Sequence, residues 1–490
     1  MKYHSTRDKS KSLTGGEAII KGISEDGGLF VPESFPMLPD LKTMLEMSYQ
    51  DIAQLILELY LTDFTSDEIK RAVAQAYDSK FETEQIVPLV VKGDAVFLEL
   101  FHGPTFAFKD MALSILPYLL KTALEKSGIK EEIVILVATS GDTGKAALEG
   151  FKDVPGTKVI VFFPEEGVSP IQRKQMLTQE GDNTFVVRLN GNFDDAQNGV
   201  KKMFGDDGFN QLLSENGFVL SSANSINIGR LIPQIIYYVY GYLQLIKDDV
   251  IRMGDSVNVA VPTGNFGNIL AAYYAKEMGL PISKLICASN DNRILTDFFQ
   301  SGTYDRRRTL KTTSSPSMDI LISSNLERFI YHTSGEDESL IREKMDALSN
   351  DGVYRYQPEG DIVYPDMATE EEISYWIEFL HKKEDYIMDP HTAVAYCAYK
   401  KYCDQSADRN VTLIASTASP YKFSDKVLKS IGVESTGNDE FEKLDLLSEQ
   451  MHAPVPDKLA ELELLPIIHD HICDTGNMKE VTLKLLKGGA

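Results

Sequence analysis

Residues 257–268 read Val257-Asn258-Val259-Ala260-Val261-Pro262-Thr263-Gly264-Asn265-Phe266-Gly267-Asn268, and a helix-like pattern continues to Met278. A short apolar run, a turn rich in glycine and a helix in this order predict one βα unit of a parallel sheet. Glycine lets the main chain close tightly, so several N–H groups can point into one concavity at the helix N-terminus. The turn therefore has the form of a small-anion site. An ordinary βα turn is the alternative, because glycine and asparagine are common there.

Similar apolar runs occur upstream and downstream of this unit. They predict strands over residues 133–138, 159–163, 285–288 and 411–415. Continuous apolar strands that alternate with helices are typical of parallel sheet covered on both faces. We therefore predict an α/β fold.

The ends of the chain have a different pattern. Residues 51–61 and 66–76 carry apolar side chains at helical spacing, and Ser66 is expected to be the N-cap of the second helix. The chain after Gly437 is again charged and helical in pattern. Residues 306–317 and 351–366 are expected to be loops at the rim of the sheet.

Composition limits the function classes. The chain has 490 residues, enough for two or three packed units, and Lys+Arg 49 against Asp+Glu 73 gives a net charge of −24. Such an acidic chain repels phosphate backbones and anionic lipids, so we expect neither a nucleic acid nor a membrane as partner. We expect a small-molecule substrate and a monomer or homodimer.

The cysteines and the N-terminus indicate the compartment. The four cysteines include no C-x-x-C pair, which favours a reducing environment over a disulfide framework. The first residues lack the apolar core of a signal peptide, and no apolar run is long enough to span a membrane. A cytoplasmic protein is therefore expected.

Lys109 is the main candidate for a reactive side chain. It lies in the segment 102–110 (HGPTFAFKD), among aromatic and small residues. A lysine amine is a nucleophile only when it is deprotonated, and apolar surroundings favour that state. The alternative is a surface lysine before a helix. Two glycine-rich strand-to-helix turns downstream favour the reactive interpretation.

The second turn is Ser140-Gly141-Asp142-Thr143-Gly144-Lys145. It is not a Walker A motif, because Thr139 stands where the first glycine is needed and Ala146 replaces the Ser/Thr. Its hydroxyl and amide groups could bind a carboxylate, although a capped βα turn would look the same.

Three further segments carry side chains that could bind a ligand or a metal. Residues 416–420 (STASP) follow the last strand, where α/β ligands collect, and a hydroxyl there could face a heteroaromatic nitrogen. His469 and His471 are expected to be surface residues, not metal ligands together with Cys473, and no metal is predicted. Residues 389–392 (DPHT) predict a helix start in which His391 is structural.

Together, the lysine, the amide-built turn, the hydroxyl-rich turn and the late Ser/Thr resemble fold-type II pyridoxal-phosphate enzymes. Within that group the chain is similar to the longer threonine synthases of bacteria and fungi. One departure is Ser419, where the family usually has histidine. The matching segments are residues 26–32 (DGGLFVP), 102–110, 138–146, 224–230 (NSINIGR), 262–268, 316–320 (PSMDI) and 390–396 (PHTAVAY).

The resemblance implies a cofactor site. Lys109 would form the Schiff base with pyridoxal 5'-phosphate, and Thr417 would face the pyridine nitrogen. Asp142 would lie beside the cofactor ring. The cofactor phosphate would be bound by the main-chain amides of Gly264, Asn265, Phe266, Gly267 and Asn268.

The resemblance also implies a substrate site. Ser140, Gly141 and Thr143 would receive the amino-acid carboxylate. Arg230, Lys145 and Asn227 are the candidates for the substrate phosphate, since an arginine fork suits a phosphate dianion. The implied reaction converts O-phospho-L-homoserine and water into L-threonine and phosphate. A neutral hydroxyl at Thr417 would favour elimination over transamination.

For the fold, the resemblance implies two parallel-sheet domains flanked by helices. The expected division begins with a mostly helical region over 1–95 and a domain with Lys109 and the hydroxyl-rich turn over 96–250. A domain with the glycine-rich turn 262–268 follows over 251–435, and a helical extension covers 436–490. Two other functions stay open. One is another enzyme of this fold type, such as a threonine or serine dehydratase or a β-replacing synthase, and the other is a cofactor-binding homologue without catalysis.

Overall fold

The computed structural model describes residues 1–139, 141–164, 168–434 and 439–488. Strands in these ranges are β1 Tyr3–Ser5, β2 Phe30–Pro32, β3 Leu89–Lys92, β4 Ala95–Glu99, β5 Glu132–Ala138, β6 Thr157–Pro164, β7 Thr184–Asn190, β8 Phe218–Ser221, β9 Val257–Pro262, β10 Ile282–Ser289, β11 Thr303–Asp305, β12 Val353–Arg355, β13 Val363–Met367, β14 Val411–Ser416 and β15 His471–Asp474.

The α-helices in the same ranges are α1 Gly15–Lys21, α2 Leu41–Met44, α3 Tyr49–Tyr60, α4 Ser66–Ala76, α5 Asp110–Leu113, α6 Leu116–Ser127, α7 Asp142–Phe151, α8 Pro170–Leu177, α9 Phe193–Phe204, α10 Asp207–Glu215, α11 Ile228–Leu231, α12 Pro233–Lys247, α13 Gly267–Glu277, α14 Ile294–Ser301, α15 Leu326–Thr333, α16 Glu338–Asn350, α17 Glu370–Glu384, α18 Pro390–Gln405, α19 Ser424–Ser430, α20 Glu440–Met451, α21 Asp457–Ala460 and α22 Met478–Leu486. Short 3₁₀ helices cover Pro316–Met318, Pro420–Phe423, Glu461–Glu463 and Thr475–Asn477.

Two large sheets organise the described chain. One has the order β13-β10-β9-β14-β4-β3 and is parallel except for the antiparallel edge strand β3. The other has the order β15-β7-β6-β5-β8 and is parallel throughout. Each strand predicted from an apolar run is present, and the predicted α/β fold is confirmed. Two small antiparallel pairs, β1 with β2 and β11 with β12, lie outside these sheets.

Apolar side chains lie on both faces of β9. Val257, Val259 and Val261 pack in the core that contains α12 and α13, whereas Ala260 packs in a second core that contains α18. Successive side chains of a strand point to opposite faces, so a strand covered on both faces carries apolar residues at most positions. Every residue of β9 is buried, and its one polar side chain, Asn258, is hydrogen-bonded.

The helical N-terminal region is as predicted, except at one helix cap. Thr65, not Ser66, is the N-cap of α4: its hydroxyl accepts from the Glu68 N–H at 3.3 Å, and the Thr65 N–H donates to Glu68 Oε2 at 2.7 Å. The prediction of Ser66 was wrong by one residue because both residues carry a hydroxyl. Only Thr65 stands three residues before the glutamate that completes a capping box.

Two segments expected to lack strands contain them. The expected loop 351–366 includes β12 and the start of β13, and the C-terminal region includes β15, which pairs with β7. These strands are short and lie at sheet edges or in a separate pair, where half-buried polar residues hide the apolar pattern. The six-stranded sheet takes β3 and β4 from before residue 100, so the expected boundary at 95/96 falls in β4. The domain division stays a prediction.

In the described ranges, no helix has the length and apolar character needed to cross a membrane. His469 was expected at the surface but is buried, and its Nε2 donates a hydrogen bond to the Gln179 carbonyl oxygen at 2.7 Å. The histidine therefore has a structural contact.

His102 joins two carboxylates near the end of β4. Its Nε2 lies 2.8 Å from Glu99 Oε2, and its Nδ1 lies 3.2 Å from Glu82 Oε2. Burial lowers the pKa of His102, but the hydrogen bonds and charges of Glu82 and Glu99 outweigh this effect and raise the pKa to about 9. The protonated ring therefore links the loop before β3 to β4.

We expect replacement of His102 by Asn to lower the melting temperature at pH 6 and to matter much less at pH 10. The unfolded chain loses the imidazole proton near 6.5 and the folded chain near 9. The stabilisation, about 2 kcal/mol, is thus fully present below the lower value and is lost as the pH rises through the upper one. Calorimetric melts of both proteins at the two pH values measure it.

The matched control is His471→Asn, because no ion pair joins His471 to a carboxylate in the described chain. Its effect on the melting temperature at pH 6 should be small. An effect of His102→Asn that is as large at pH 10 as at pH 6 would contradict the proposed ion pairs.

Candidate active site

A cavity of about 790 Å³ lies where the two large sheets present the carboxyl ends of their strands. Ala138 at the end of β5, Pro262 at the end of β9 and Thr417 just after β14 all line it, together with Lys109. Ligands of α/β proteins bind at this edge of the sheet, and the volume suits a small cofactor with its substrate.

Lys109 is placed by main-chain pairing with the segment after β14. Ala107 forms an antiparallel bridge with Ala418, and the Phe108 N–H donates to the Thr417 carbonyl at 2.8 Å. Phe106 adopts a left-handed φ of 60°. The pairing brings Lys109 next to Thr417, although the two are far apart in the chain.

The surroundings of the Lys109 amine favour its neutral form. Its side chain is 13% exposed, and Nζ lies 3.3 Å from Ser317 Oγ and 3.9 Å from Asp142 Oδ2. Burial lowers the pKa of Lys109 to about 8, against the attraction of Asp142 and with further lowering by Lys422 and Arg230. A lysine with this pKa is a competent nucleophile near neutral pH.

In the turn 263–268, two carbonyl groups accept hydrogen bonds from outside the turn, whereas the N–H groups after Thr263 have no acceptor in the described chain. Ser323 Oγ donates to the Gly264 carbonyl at 2.7 Å, and the Asn325 N–H donates to the Asn265 carbonyl at 3.0 Å. Phe266, at a left-handed φ of 63°, is the N-cap of α13. The N–H groups from Gly264 to Asn268 have no acceptor among the described residues.

Asn268 adds a side-chain donor to this turn. Its Oδ1 accepts from the Tyr238 hydroxyl, whereas its Nδ2 is buried without a partner in the described chain. Free amides, an orphaned side-chain N–H group and the positive end of a helix fit the phosphate of pyridoxal phosphate, with no lysine or arginine in the turn. Thr417, 5% exposed, has a hydroxyl without a described partner and can face the ring of that cofactor.

Gly264 is a position where a side chain would not fit. A Cβ there would lie 2.7 Å from the Ser317 carbonyl oxygen. The segment 316–318 therefore closes over the turn, and the two approach each other through main chain only.

The hydroxyl-rich turn is held by Thr139. The Thr139 hydroxyl accepts from the Gly141 and Gly144 N–H groups, each at 3.0 Å. Ser140 lies outside the described residues. Gly141, at a φ of 152°, is the N-cap of α7, and Asp142 and Thr143 in the first turn of that helix line the cavity.

Of the three residues expected at the substrate phosphate, the structure brings only Arg230 to the cavity. Arg230 is 3% exposed, donates from Nη1 to the Ala223 carbonyl at 2.7 Å, and has a buried Nε without a partner in the described chain. Lys145 contacts Glu149 and Gln179, away from the cavity lining. The Asn227 amide caps α11 through the Gly229 N–H and donates to the carbonyls of Ile19 and Ser222, and it does not line the cavity.

Sequence reasoning missed three residues of the site. Ser317 hydrogen-bonds to both Lys109 and Asp142, Lys422 forms an ion pair with Asp142, and Gln172 Nε2 donates to Asp142 Oδ1 at 2.8 Å. Ser317 lies in the matched segment 316–320, which could have signalled it. Nothing in the sequence pattern around Gln172 or Lys422 marks them.

His391, for which a structural role is predicted, lines the cavity and contacts Ser317. Its Nε2 accepts from the Ser317 N–H at 3.2 Å, so its Nδ1 carries the proton and donates to Asp389 Oδ2 at 2.7 Å. The helix start at Pro390, with Asp389 as N-cap, is also as predicted. The ring thereby supports the segment 316–318, which closes over the turn 263–268.

Family models match most of the chain. The model described as "Threonine synthase N terminus" matches residues 2–77, "Pyridoxal-phosphate dependent enzyme" matches residues 91–417, and "Threonine synthase, C-terminal" matches residues 392–466.

Similar proteins are found among curated sequences and solved structures. "Threonine synthase-like 1" of Pongo abelii is 40% identical over 88% of this chain, and the match spans about 60% of the length of that relative. "Threonine synthase" of Schizosaccharomyces pombe is 38% identical, with 86% of this chain and 87% of the relative covered. The crystal structure of PLP-bound threonine synthase from Brucella melitensis superposes with a TM-score of 0.86 at 34% identity, over 98% of both chains.

The middle model alone covers more than half of the chain, and the relatives from fungi and bacteria match over nearly their full length. The N–H groups from Gly264 to Asn268 and the pKa of Lys109, lowered to about 8, are suited to such a cofactor. The chain belongs to the threonine synthase family of pyridoxal-phosphate-dependent enzymes.

Proposed function

We propose that the protein converts O-phospho-L-homoserine and water into L-threonine and phosphate, with pyridoxal 5'-phosphate as cofactor. The observation that carries this proposal is the joint placement of Lys109, the free amides of the turn 263–268 and Thr417 in one cavity. Family membership supports the choice of reaction over others that use the same cofactor.

Different residues around the cavity would bind different parts of the cofactor. The N–H groups of Gly264, Asn265, Phe266, Gly267 and Asn268 would bind the cofactor phosphate, and Thr417 would face the pyridine nitrogen. Lys109 would bond to the cofactor aldehyde, and Asp142 would lie beside the ring. When bound, pyridoxal phosphate supplies an electron sink for the carbon atoms of the substrate.

The Lys109 amine would also move protons between carbon atoms of the substrate. With a pKa of about 8, it would accept a proton from the substrate Cα and return it at the neighbouring carbons. Phosphate leaves from Cγ and water adds at Cβ, so the net reaction needs no oxidant or reductant. The amine donates a hydrogen bond to Ser317 Oγ at 3.3 Å.

Arg230 is our candidate for the substrate phosphate. Its buried guanidinium lines the cavity and has an unused Nε donor, which a phosphate dianion would satisfy. Lys145 and Asn227 were predicted with it, but their side chains are engaged elsewhere. Gly141 and Thr143, with Ser140, stay our candidates for the amino-acid carboxylate.

We infer further that the protein works in the cytoplasm as a monomer or homodimer. All four cysteines are unpaired, and Cys287 and Cys397 are fully buried in the cores. Free thiols are typical of a reducing compartment.

The cofactor-loaded protein is expected to release phosphate from O-phospho-L-homoserine and to form threonine in equal amount. Lys109→Ala should reduce this activity at least about a thousandfold, because the same amine attaches the cofactor and moves the protons. Phosphate release and amino-acid analysis measure the two products.

The competing function is tested in the same preparation. A dehydratase would form a ketoacid from threonine or serine and would release little phosphate from O-phospho-L-homoserine. That pattern would contradict our assignment while leaving the cofactor site intact.

The rate of covalent cofactor attachment to cofactor-free protein is expected to rise about tenfold per pH unit below pH 8 and to level off above it. Only the neutral amine attacks the aldehyde, and burial lowers the pKa of Lys109 from 10.5 to about 8. Stopped-flow absorbance measures the rate. Nα-acetyl-lysine, whose side-chain amine is free, gives the reference rate for an unshifted pKa in the same buffers. A rate that does not change between pH 6 and pH 8 would show that Lys109 does not titrate in this range.

Gly264→Ala is expected to weaken cofactor binding about 10- to 100-fold. The added methyl group would collide with the Ser317 carbonyl oxygen, and the main-chain shift that relieves the clash costs about 1–3 kcal/mol. Titration of cofactor-free protein gives the dissociation constant. Gly476→Ala is the control, because its methyl group would meet no atom within 4 Å. Equal affinities for both variants would argue against the close approach.

A further inference from the structure

Lys422 is a buried lysine that the proposed reaction does not use. It lies in the 3₁₀ helix Pro420–Phe423, directly after the strand β14, and its side chain is 0% exposed. Its Nζ donates to the Thr105 carbonyl at 2.9 Å and forms an ion pair with Asp142 Oδ1. Lysine is almost never fully buried unless it is paired, so this position needs an explanation.

Asp142 stands between two lysines. Its Oδ1 contacts Lys422 and accepts from Gln172, whereas its Oδ2 accepts from Ser317 Oγ at 3.2 Å and lies 3.9 Å from Lys109 Nζ. The closer pair is with Lys422. The contact with Lys109 is longer and weaker because Lys422 and Gln172 hold the carboxylate by its other oxygen.

The second contact of Lys422 fixes the segment that leads to Lys109. The Thr105 N–H and hydroxyl donate to the two oxygens of Asp110 at 2.8 Å and 2.6 Å. Asp110 follows Lys109 and begins α5. Through one ammonium group, Lys422 thus joins the turn that carries Asp142 to the segment that carries Lys109.

We propose that Lys422 is a positioning residue for Lys109: it binds Asp142 on the side away from Lys109, joins the two segments, and supplies the positive charge that Asp142 would otherwise draw from Lys109. This proposal rests on the proposed role of Lys109 as the attachment lysine. It assigns Lys422 no contact with cofactor or substrate.

The charged groups that face Lys109 come from four elements. Asp142 on α7 and Asp110 on α5 favour its ammonium form, whereas Lys422 in the 3₁₀ helix and Arg230 on α11 disfavour it. Lys422 acts twice, since it repels the Lys109 ammonium and also satisfies Asp142. Without Lys422, Lys109 is the one ion-pair partner left to the Asp142 carboxylate among the described residues. The ammonium form of Lys109 then gains stability.

The protonation state of Lys109 can be read without cofactor or activity. Brief acetylation of the cofactor-free protein across a pH series, followed by mass spectrometry of the peptide with Lys109, gives the pH at which its reactivity is half maximal. The wild-type midpoint is expected near pH 8, because the pKa of Lys109 is lowered to about 8.

The variants have opposite expected signs. Lys422→Met keeps the length of the side chain but removes its charge, and should raise the midpoint by about one pH unit. Asp142→Asn should lower the midpoint, because the attraction that favours the ammonium form is lost. Lys422→Arg keeps the charge and should restore a midpoint close to the wild-type value.

Lys443→Met is the matched control. Lys443 is 8% exposed and pairs with Asp425 and Glu440, far from the cavity lining. This variant should have the wild-type midpoint. A folded Lys422→Met protein with the wild-type midpoint, or a Lys422→Arg protein that behaves like Lys422→Met, would overturn the proposal.

Lys422→Met alone leaves a buried carboxylate without its closest partner and can prevent folding. The double variant Asp142→Asn/Lys422→Met removes both charges and is then compared with Asp142→Asn. The proposal expects a higher midpoint in the double variant, because the repulsion by Lys422 is gone, and equal midpoints would overturn it. A normal shift in a protein that forms no threonine would instead count against the proposed function alone.

Discussion

The Phe108 N–H donates to the Thr417 carbonyl, and the Ser419 N–H donates to the Phe106 carbonyl, so that two segments distant in sequence form a short antiparallel pair. This pair places Lys109 beside the end of β14. Because β14 lies next to β9 in the six-stranded sheet, the same pairing sets the distance from Lys109 to the turn 263–268 after β9. The position of the reactive amine thus depends on main-chain hydrogen bonds, and among single substitutions only proline removes an N–H donor.

Electrostatics adds a second level of control at this position. The site buries Lys109, Arg230 and Lys422 around the carboxylates of Asp142 and Asp110, so buried cations outnumber buried anions there in a chain whose net charge is −24. An excess of buried cations costs stability unless an anion arrives, and both the cofactor and the proposed substrate carry phosphate. The same excess favours loss of the proton from Lys109, which the attachment chemistry requires.

The fold and the cofactor half of the site could be predicted because their signals are local. The βα turn at 262–267 and the apolar runs follow the period of the secondary structure that they form, and Lys109 stands in a matched segment. The substrate half could not be predicted in this way. Lys145 and Asn227 lie in segments with the expected pattern, but Lys145 turns to Glu149 and Asn227 caps α11. The direction of a side chain at the edge of a site depends on neighbours that the local pattern does not specify.

By itself, the sequence determined the parallel strands and the glycine-rich turn after β9, because each depends on residues within one βα unit. Only the tertiary structure decided that Lys422 and Gln172 bind Asp142 and that Ser317 closes over Gly264. Both depend on contacts between residues that are at least thirty positions apart in the chain. Their geometry is set by how the two sheets and the 3₁₀ helices pack, and not by any periodic pattern along the sequence.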